Sequence, residues 1–199
     1  MSRHSSDTRA RILCAAEDLV IRDGVSKLTL EAAAQEAGLS KGGVLYHFPS
    51  RAALVSAMVQ RFVVSFDADL VAYGALGGKP GDFTRAYLQA TLAPTSAGDE
   101  AAGLIDHSES DDLRERRLGG ALLAGVASDP ELLAPLRDRF AAWQEAVEAD
   151  GLPEEVATVV RVCSDGLWLS DLFELAPVGG ALRERVGKLL LSMIDDTTR

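Results

Sequence analysis

The chain is poor in the residues from which most enzyme active sites are built. It holds three histidines and two cysteines in 199 residues. The histidines lie near the N-terminus, in a short helical motif and in an acidic stretch, at positions 4, 47 and 107. No Ser-His-Asp grouping, phosphate loop or Cys-His metal spacing occurs, so an enzyme is not expected and no cofactor is implied. No run of eighteen or more apolar residues is present, which excludes a transmembrane helix and a membrane partner. The opening MSRHSSDTRAR has no apolar signal core, so a cytoplasmic protein is expected. There is no internal repeat. The two cysteines, Cys14 and Cys163, read as free, reduced thiols in different domains. No Lys, His or Arg adjoins Cys14 in sequence to lower its pKa, which argues against a redox role.

What is present is enough apolar residue, 47%, for a sizeable core in one or two domains. The net charge of −10 is unevenly distributed. Residues 1–63 carry eight Lys and Arg against six Asp and Glu, whereas the remainder carries twelve against twenty-four. A mildly basic head on an acidic body confines any contact with nucleic acid to the head. Non-specific DNA affinity should then be weak and salt-sensitive.

Residues 29–48, TLEAAAQEAGLSKGGVLYHF, carry the most information. Thr29 is a good N-cap, with Glu31 in the first turn. Ala33, Ala34 and Ala37 make a small apolar face. Gly38 supplies the positive φ that ends one helix, and Ser40 caps the next. In that second helix Val44 and Phe48 share a core face with Leu39, while Lys41 and Leu45 face outward. An outward Leu beside a Lys suits a helix in the major groove, with Lys41 on phosphate or guanine and Leu45 on a thymine methyl. Gly42 and Gly43 each cost a helix about 1 kcal/mol relative to Ala, yet bare the backbone for close approach to a phosphate. Tyr46 and His47 are further phosphate donors. The competing reading is an ordinary helical hairpin with a weak turn.

These residues resemble the DNA-binding domain of TetR-family regulators. The matching positions are Thr29, Ala34, Ala37, Gly38, Leu39, Ser40, Lys41, Gly42, Tyr46, His47, Phe48, Ser50, Arg51 and Leu54. Upstream, Arg9, Ile12, Leu13, Ala15, Ala16, Leu19 and Gly24 follow the family's first helix. The chain departs from the pattern at Ala33, where Ile is usual, at Arg51, where Lys is usual, and at Ala52, where an acid is usual. The likeness is strong over residues 8–60 and weaker beyond. It implies an all-α fold of about nine helices. Residues 1–50 would form a three-helix helix-turn-helix domain, and residues 51–199 a helical effector-binding and dimerisation domain. Arg51 would grip phosphate beside Thr29, Ser40, Lys41, Gly42, Gly43, Leu45, Tyr46 and His47.

Periodicity predicts further helices. One runs from about Thr8 to Arg22, capped by Ser5, Ser6 or Asp7. Another runs from Ser50 to about Tyr73 with a wide apolar stripe that implies burial on more than one side. After a turn at Gly74–Gly81 a helix covers Asp82–Leu92. Residues 94–112 read as a solvated acidic loop; its Asp106, His107, Glu109, Asp111 and Asp112 invite a metal site only weakly, since one His among acids fixes no geometry. Leu113–Ala127 reads as a helix whose Gly119, Gly120 and Gly125 suggest close packing or weak local stability. Asp129-Pro130-Glu131 opens the next helix, with a break at Pro135, and it continues to about Ala149.

The last two helices suggest a dimer. Val156, Val159, Val160, Cys163 and Leu167 mark one face of the first, and LWLSDLFEL is apolar almost all round. The last helix has a stripe of Leu182, Val186, Leu189, Leu190, Met193 and Ile194. Two such helices from each of two chains would form a four-helix bundle, with Leu167, Leu172, Leu182, Val186, Leu189, Leu190 and Met193 in the interface. The alternative is that both stripes close one chain's own core. The expected function is therefore a homodimeric repressor released from a palindromic double-stranded operator by a small hydrophobic or amphipathic effector. Phe62, Phe66, Leu88, Trp143 and Trp168 are the candidate effector contacts, each also readable as plain core. A regulator of the same fold controlled by thiol oxidation or a protein partner is the alternative.

Overall fold

The structure, a computed structural model, describes residues 2–93, 108–126 and 130–198. Every regular element among the described residues is helical: α1 (Ser2–Asp23), α2 (Leu30–Glu36), α3 (Lys41–His47), α4 (Arg51–Ala72), α5 (Asp82–Leu92), α6 (Ser108–Val126), α7 (Ala134–Glu148), α8 (Glu154–Leu172) and α9 (Gly180–Thr197). Short 3-10 turns lie at Val25–Lys27 and Pro130–Leu133. The expected all-α fold of nine helices is the one observed.

Several boundaries differ from the sequence expectation. α1 reaches back to Ser2, so Ser5, Ser6 and Asp7 lie inside it rather than at its start; no Gly or Pro precedes Thr8 to stop the helix. α6 begins at Ser108, inside the stretch expected to be a loop. The break at Pro135 appears as a 3-10 turn followed by α7, which places the proline in its first turn, where the missing N–H costs nothing. Asp129 and the candidate metal residues Asp106 and His107 lie outside the described residues, as do the side chains of Glu109, Asp111 and Asp112.

The chain divides into two compact units. The first comprises residues 1–62 and 110–137. Its core is built on α1, which buries Ile12, Leu13, Ala15, Ala16, Leu19 and Val20, the stripe of a helix with one inward face. Around it pack Ala33, Ala34 and Ala37 of α2, Val44 and Phe48 at α3, and Leu54, Val55 and Met58 of α4. Leu118 and Leu122 of α6 complete it. The alanines let backbones approach closely. The same economy recurs at Gly125, where an added Cβ would stand 2.4 Å from Val25 Cβ. A small apolar cavity of about 10 Å³, room for at most one water, is lined by Val59, Phe62, Leu122, Leu123 and Leu136.

The second unit comprises residues 63–109 and 138–199. α5, α8 and α9 enclose Leu88, Val147, Leu152, Ala157, Val160, Leu190 and Ile194. α5 opens after Gly81, which offers no side chain to its first amides. Asp150, at the end of α7, supplies the cap instead: Phe83 N–H donates to its Oδ1 at 3.1 Å and Thr84 N–H to its Oδ2 at 2.8 Å.

Candidate nucleic-acid interface

The α2–turn–α3 segment forms as its residues dictate. Thr29 Oγ1 accepts from the Ala32 N–H at 3.0 Å, and Ser40 Oγ accepts from the Gly43 N–H at 3.1 Å. Between these caps, Gly38 takes φ 65°. Its N–H donates to Gln35 C=O at 3.1 Å, and the Leu39 N–H donates to Ala34 C=O at 2.8 Å. These two bonds are the Schellman arrangement that satisfies the end of α2 and starts the chain toward α3. Val44 and Phe48 are buried, which fixes the outward face of α3.

That outward face carries Lys41, Leu45 and Tyr46, all exposed, with Tyr46 82% accessible and Leu45 40%. His47 is half-buried, its ring edge-on to Tyr46 at 5.1 Å. Lys41 Nζ donates to the carboxylate of Glu31 on α2, and this contact holds the Glu31 carboxyl below its ordinary range. A Cβ added at Gly42 or Gly43 would meet only Ser40 Oγ among the described residues, at 3.9 and 3.5 Å, both ordinary van der Waals contacts. Neither glycine needs a positive φ. No contact among the described residues requires glycine at either position, although each weakens the helix.

Two arginines of this unit, Arg51 and Arg11, hold its own backbone. Arg51 Nε donates to Leu28 C=O at 2.9 Å and its Nη2 to Val25 C=O at 2.7 Å. The side chain expected to grip phosphate therefore clasps the turn before α2, with only Nη1 uncommitted by these bonds. Arg11 Nη2 donates to Ala37 C=O at 2.9 Å, closing the end of α2. Arg9 lies over the Phe48 ring, 5.1 Å from its centre. Arg22 pairs with Glu36. Glu17, 2% accessible, is held by Arg114 at 3.1 Å and Arg61 at 3.4 Å. Arg61 Nη1 also lies 3.5 Å from Cys14 Sγ. The cation absent from the sequence around Cys14 is thus supplied 47 residues away.

The expected effector residues are dispersed. Phe62 belongs to the first unit and lines its small cavity. Leu88 is fully buried in the core of the second. Phe66, Tyr87 and Trp143 form a mutually edge-to-face trio with centroids 5.0–5.8 Å apart. Phe140 joins it, 5.1 Å from Trp143, and brings in Trp168 at 6.3 Å. Two carboxylates, not singled out from sequence, tether this cluster. Asp67 Oδ1 accepts from Trp143 Nε1 and Arg139 Nε, each at 2.9 Å. Asp165 accepts from the Tyr87 hydroxyl at 2.7 Å and pairs with Arg161 at 2.6 Å. Burial pushes both the Tyr87 hydroxyl and the Asp165 carboxyl above their ordinary ranges, and the Asp165 charge adds to the shift on Tyr87. Among the described residues, Thr84 Oγ1, Arg161 Nε and Gln144 Oε1 are buried without a hydrogen-bond partner.

The expected dimer residues also divide. Leu167 and Leu190 are buried in the protomer's own unit, and Leu172, Val186 and Met193 are half-buried. Leu182 and Leu189 are exposed, at 52% and 62%. On α8, Val160 and Leu167 point inward, whereas Val159, Val162, Cys163 and Leu169 are exposed. The stripe expected for Val156, Val159, Val160, Cys163 and Leu167 therefore straddles an edge: the buried face of α8 centres on Ala157, Val160, Ser164 and Leu167, and leaves Val159 and Cys163 outside it.

A helix-turn-helix whose second helix bares one face, in a chain whose described elements are all helical, is the architecture of a DNA-binding regulator. Residues 12–58 match the family "Bacterial regulatory proteins, tetR family", and residues 81–195 match "Tetracyclin repressor-like, C-terminal domain". The chain belongs to the TetR family of transcriptional regulators, which are DNA-binding proteins and not enzymes. Its fold resembles that of a TetR-family member from Streptomyces coelicolor A3, at 22% identity and TM-score 0.67, over 94% of this chain and 98% of that one. It also resembles a transcriptional regulator from Rhodococcus sp. Rha1, at 21% identity and TM-score 0.64, over 95% of each chain. The multidrug binding protein EbrR, in complex with malachite green, is 23% identical with TM-score 0.64, over 98% of this chain and 99% of that one. No curated protein matches the chain.

Proposed function

We propose that the chain is a homodimeric repressor that leaves a palindromic operator when a small hydrophobic or amphipathic molecule binds its body. The observation that carries the DNA part is the outer face of α3. It presents Lys41, Leu45 and Tyr46 to solvent beside two glycines for which the fold itself has no use. Close backbone approach to a phosphate gives those glycines a purpose. Lys41 would meet guanine or phosphate and Leu45 a thymine methyl. Tyr46 and His47 would donate to phosphate, with Thr29, Ser40, Gly42 and Gly43 forming the backbone approach. The role of Arg51 is to fix the turn before α2 through Val25 and Leu28. A DNA-reading domain at residues 1–50 and an effector and dimer domain at residues 51–199 remain our division of labour.

The dimer is supported by apolar surface a lone protomer leaves open. Val159, Val162, Gly166, Leu169 and Phe173 are exposed at alternating spacings of three and four, the seam of a helix pair, and Leu182 and Leu189 lie seven apart on α9. Two such protomers would set their reading helices roughly 34–36 Å apart. Repression by a cytoplasmic protein then follows from occupancy of the operator.

The effector reading rests on the second unit. Five aromatic rings cluster in this unit, and one of them, Tyr87, bonds through Asp165 to Arg161, whose Nε is buried without a hydrogen-bond partner among the described residues, a surrounding suited to an amphipathic molecule. The capture of malachite green by EbrR is consistent with this class. A ligand that prefers the wrong reading-head spacing shifts the equilibrium by its differential affinity, typically about 1–3 kcal/mol. Thiol control is a second reading, favoured by the guanidinium of Arg61 at Cys14. Oxidant-dependent DNA release that survives Cys14→Ser and Cys163→Ser together would eliminate it.

The decisive experiment is selection of bound duplexes from a random pool at near-physiological salt. A palindromic motif is the expected result. A folded dimer that enriches nothing, with or without candidate effectors, would overturn the DNA reading.

A further inference from the structure

We infer that Glu31 is a specificity-determining residue, whose carboxylate accepts from the exocyclic amino group of one cytosine while Lys41 donates to the guanine of the same pair. This rests on the DNA reading proposed above. Glu31 and Lys41 come from different helices, α2 and α3, ten residues apart, and meet in an exposed ion pair. Lys41 shares its face of α3 with Leu45, so the carboxylate stands beside the groups that read bases.

An acid in that place needs a reason. The reading pair is already held by two caps, the turn at Gly38 and the buried alanines, and an exposed ion pair adds little stability. Opposite a phosphate backbone, Glu31 is repelled by every duplex alike and also competes for Lys41, which lowers non-specific affinity. Compensation comes only where a donor faces it. In the major groove a G·C pair presents the O6 and N7 acceptors of guanine and, on its partner base, the N4 donor of cytosine. A cation and an anion held side by side are complementary to that order. The ion pair closes the reading face in free protein and becomes a two-pronged contact on the right base pair.

The test compares duplexes selected by wild type, Glu31→Ala and Glu31→Gln. Circular dichroism melting of each variant, which alters an exposed side chain, checks the fold. One G·C pair per half-site should be fixed in the wild-type motif. Replacing it by A·T should weaken wild-type binding about tenfold or more, within the range for a good base contact. Glu31→Ala should lose that discrimination while binding a scrambled duplex more tightly at low salt. Glu31→Gln should move the preference toward adenine, whose edge matches an amide. The same motif and the same single-position penalties in all three proteins would overturn the inference, as would a loss of discrimination at a position that is not G·C. Wild type that selects no duplex would overturn the DNA reading itself, and is distinguishable from both results.

Discussion

The two units handle bulk differently. In the unit containing α1 to α3, the core is made of alanines and aliphatic chains around Phe48, and two arginines, Arg11 and Arg51, end on main-chain carbonyls at either end of α2. In the unit containing α5, α8 and α9, five rings share one cluster, with Arg139 on Asp67 and Arg161 on Asp165 at its polar edges. Carbonyl clasps and alanine contacts fix one backbone geometry closely, which suits an element that must match a groove to within an ångström or so. Rings with ionic tethers can repack, and buried polar atoms without partners are an unmet demand that a bound molecule can satisfy. Under the proposed function, the contrast is that of a rigid template and an adaptable receptor.

The largest effect expected concerns the open seam of the second unit. Leu189→Glu should abolish the dimer at micromolar concentration by ultracentrifugation, a loss of roughly 3 kcal/mol or more, because a charge would be buried against its symmetry mate. The protomer should still melt cooperatively; a dimer of unchanged affinity would remove α9 from the interface. In the template, Lys41→Ala should weaken operator binding by about 1–3 kcal/mol with the dimer intact. Binding identical to wild type would reassign the reading face. Gly125→Val should destabilise the same unit by about 1–3 kcal/mol in denaturant titration, since its side chain enters the space of Val25. Little change would show that this contact yields easily and that the template is less rigid than drawn.

In the receptor, pH distinguishes the ring cluster. The Tyr87 hydroxyl is held above its ordinary range, so above about pH 10 the unfolded chain loses a proton that the folded one keeps. Its stabilising contribution is complete below that pH and declines as pH rises further. Tyr87→Phe should cost about 1 kcal/mol at neutral pH, from the lost bond to Asp165, and flatten the alkaline decline. An identical alkaline profile would place the sensitivity elsewhere. The smallest effect sharpens the comparison most. Gly42→Ala and Gly43→Ala should each stabilise the protein by up to about 1 kcal/mol while weakening DNA binding. Stabilisation with full DNA affinity would mean that the bared backbone is not used.

The reading motif was legible because its determinants are local. Thr29, Gly38 and Ser40 act on amides and carbonyls three residues away, so their order in the chain announces the caps and the turn. α5 was placed correctly by its periodicity, but its cap, Asp150, comes from 66 to 67 residues away, and no pattern in the chain points there. The same distance hid Arg61 from Cys14 and left the use of Arg51 unread. For α8 and α9 the residues were recognised as apolar, but apolarity alone does not say whether a leucine faces its own core, as Leu190 does, or solvent, as Leu189 does. Adjacent positions on a helix differ by about 100°, and tertiary packing decides between them.

Gly42 and Gly43 also bear on how this sequence would age. A gene copy released from operator binding would meet no objection within the fold to alanine at either site, and would gain helix stability from the exchange. On this geometry, the pressure to keep glycine at these two codons would come from the DNA and not from the packing of the described residues. Among diverging copies of this gene, the glycine pair would therefore separate those that still regulate from those that merely fold.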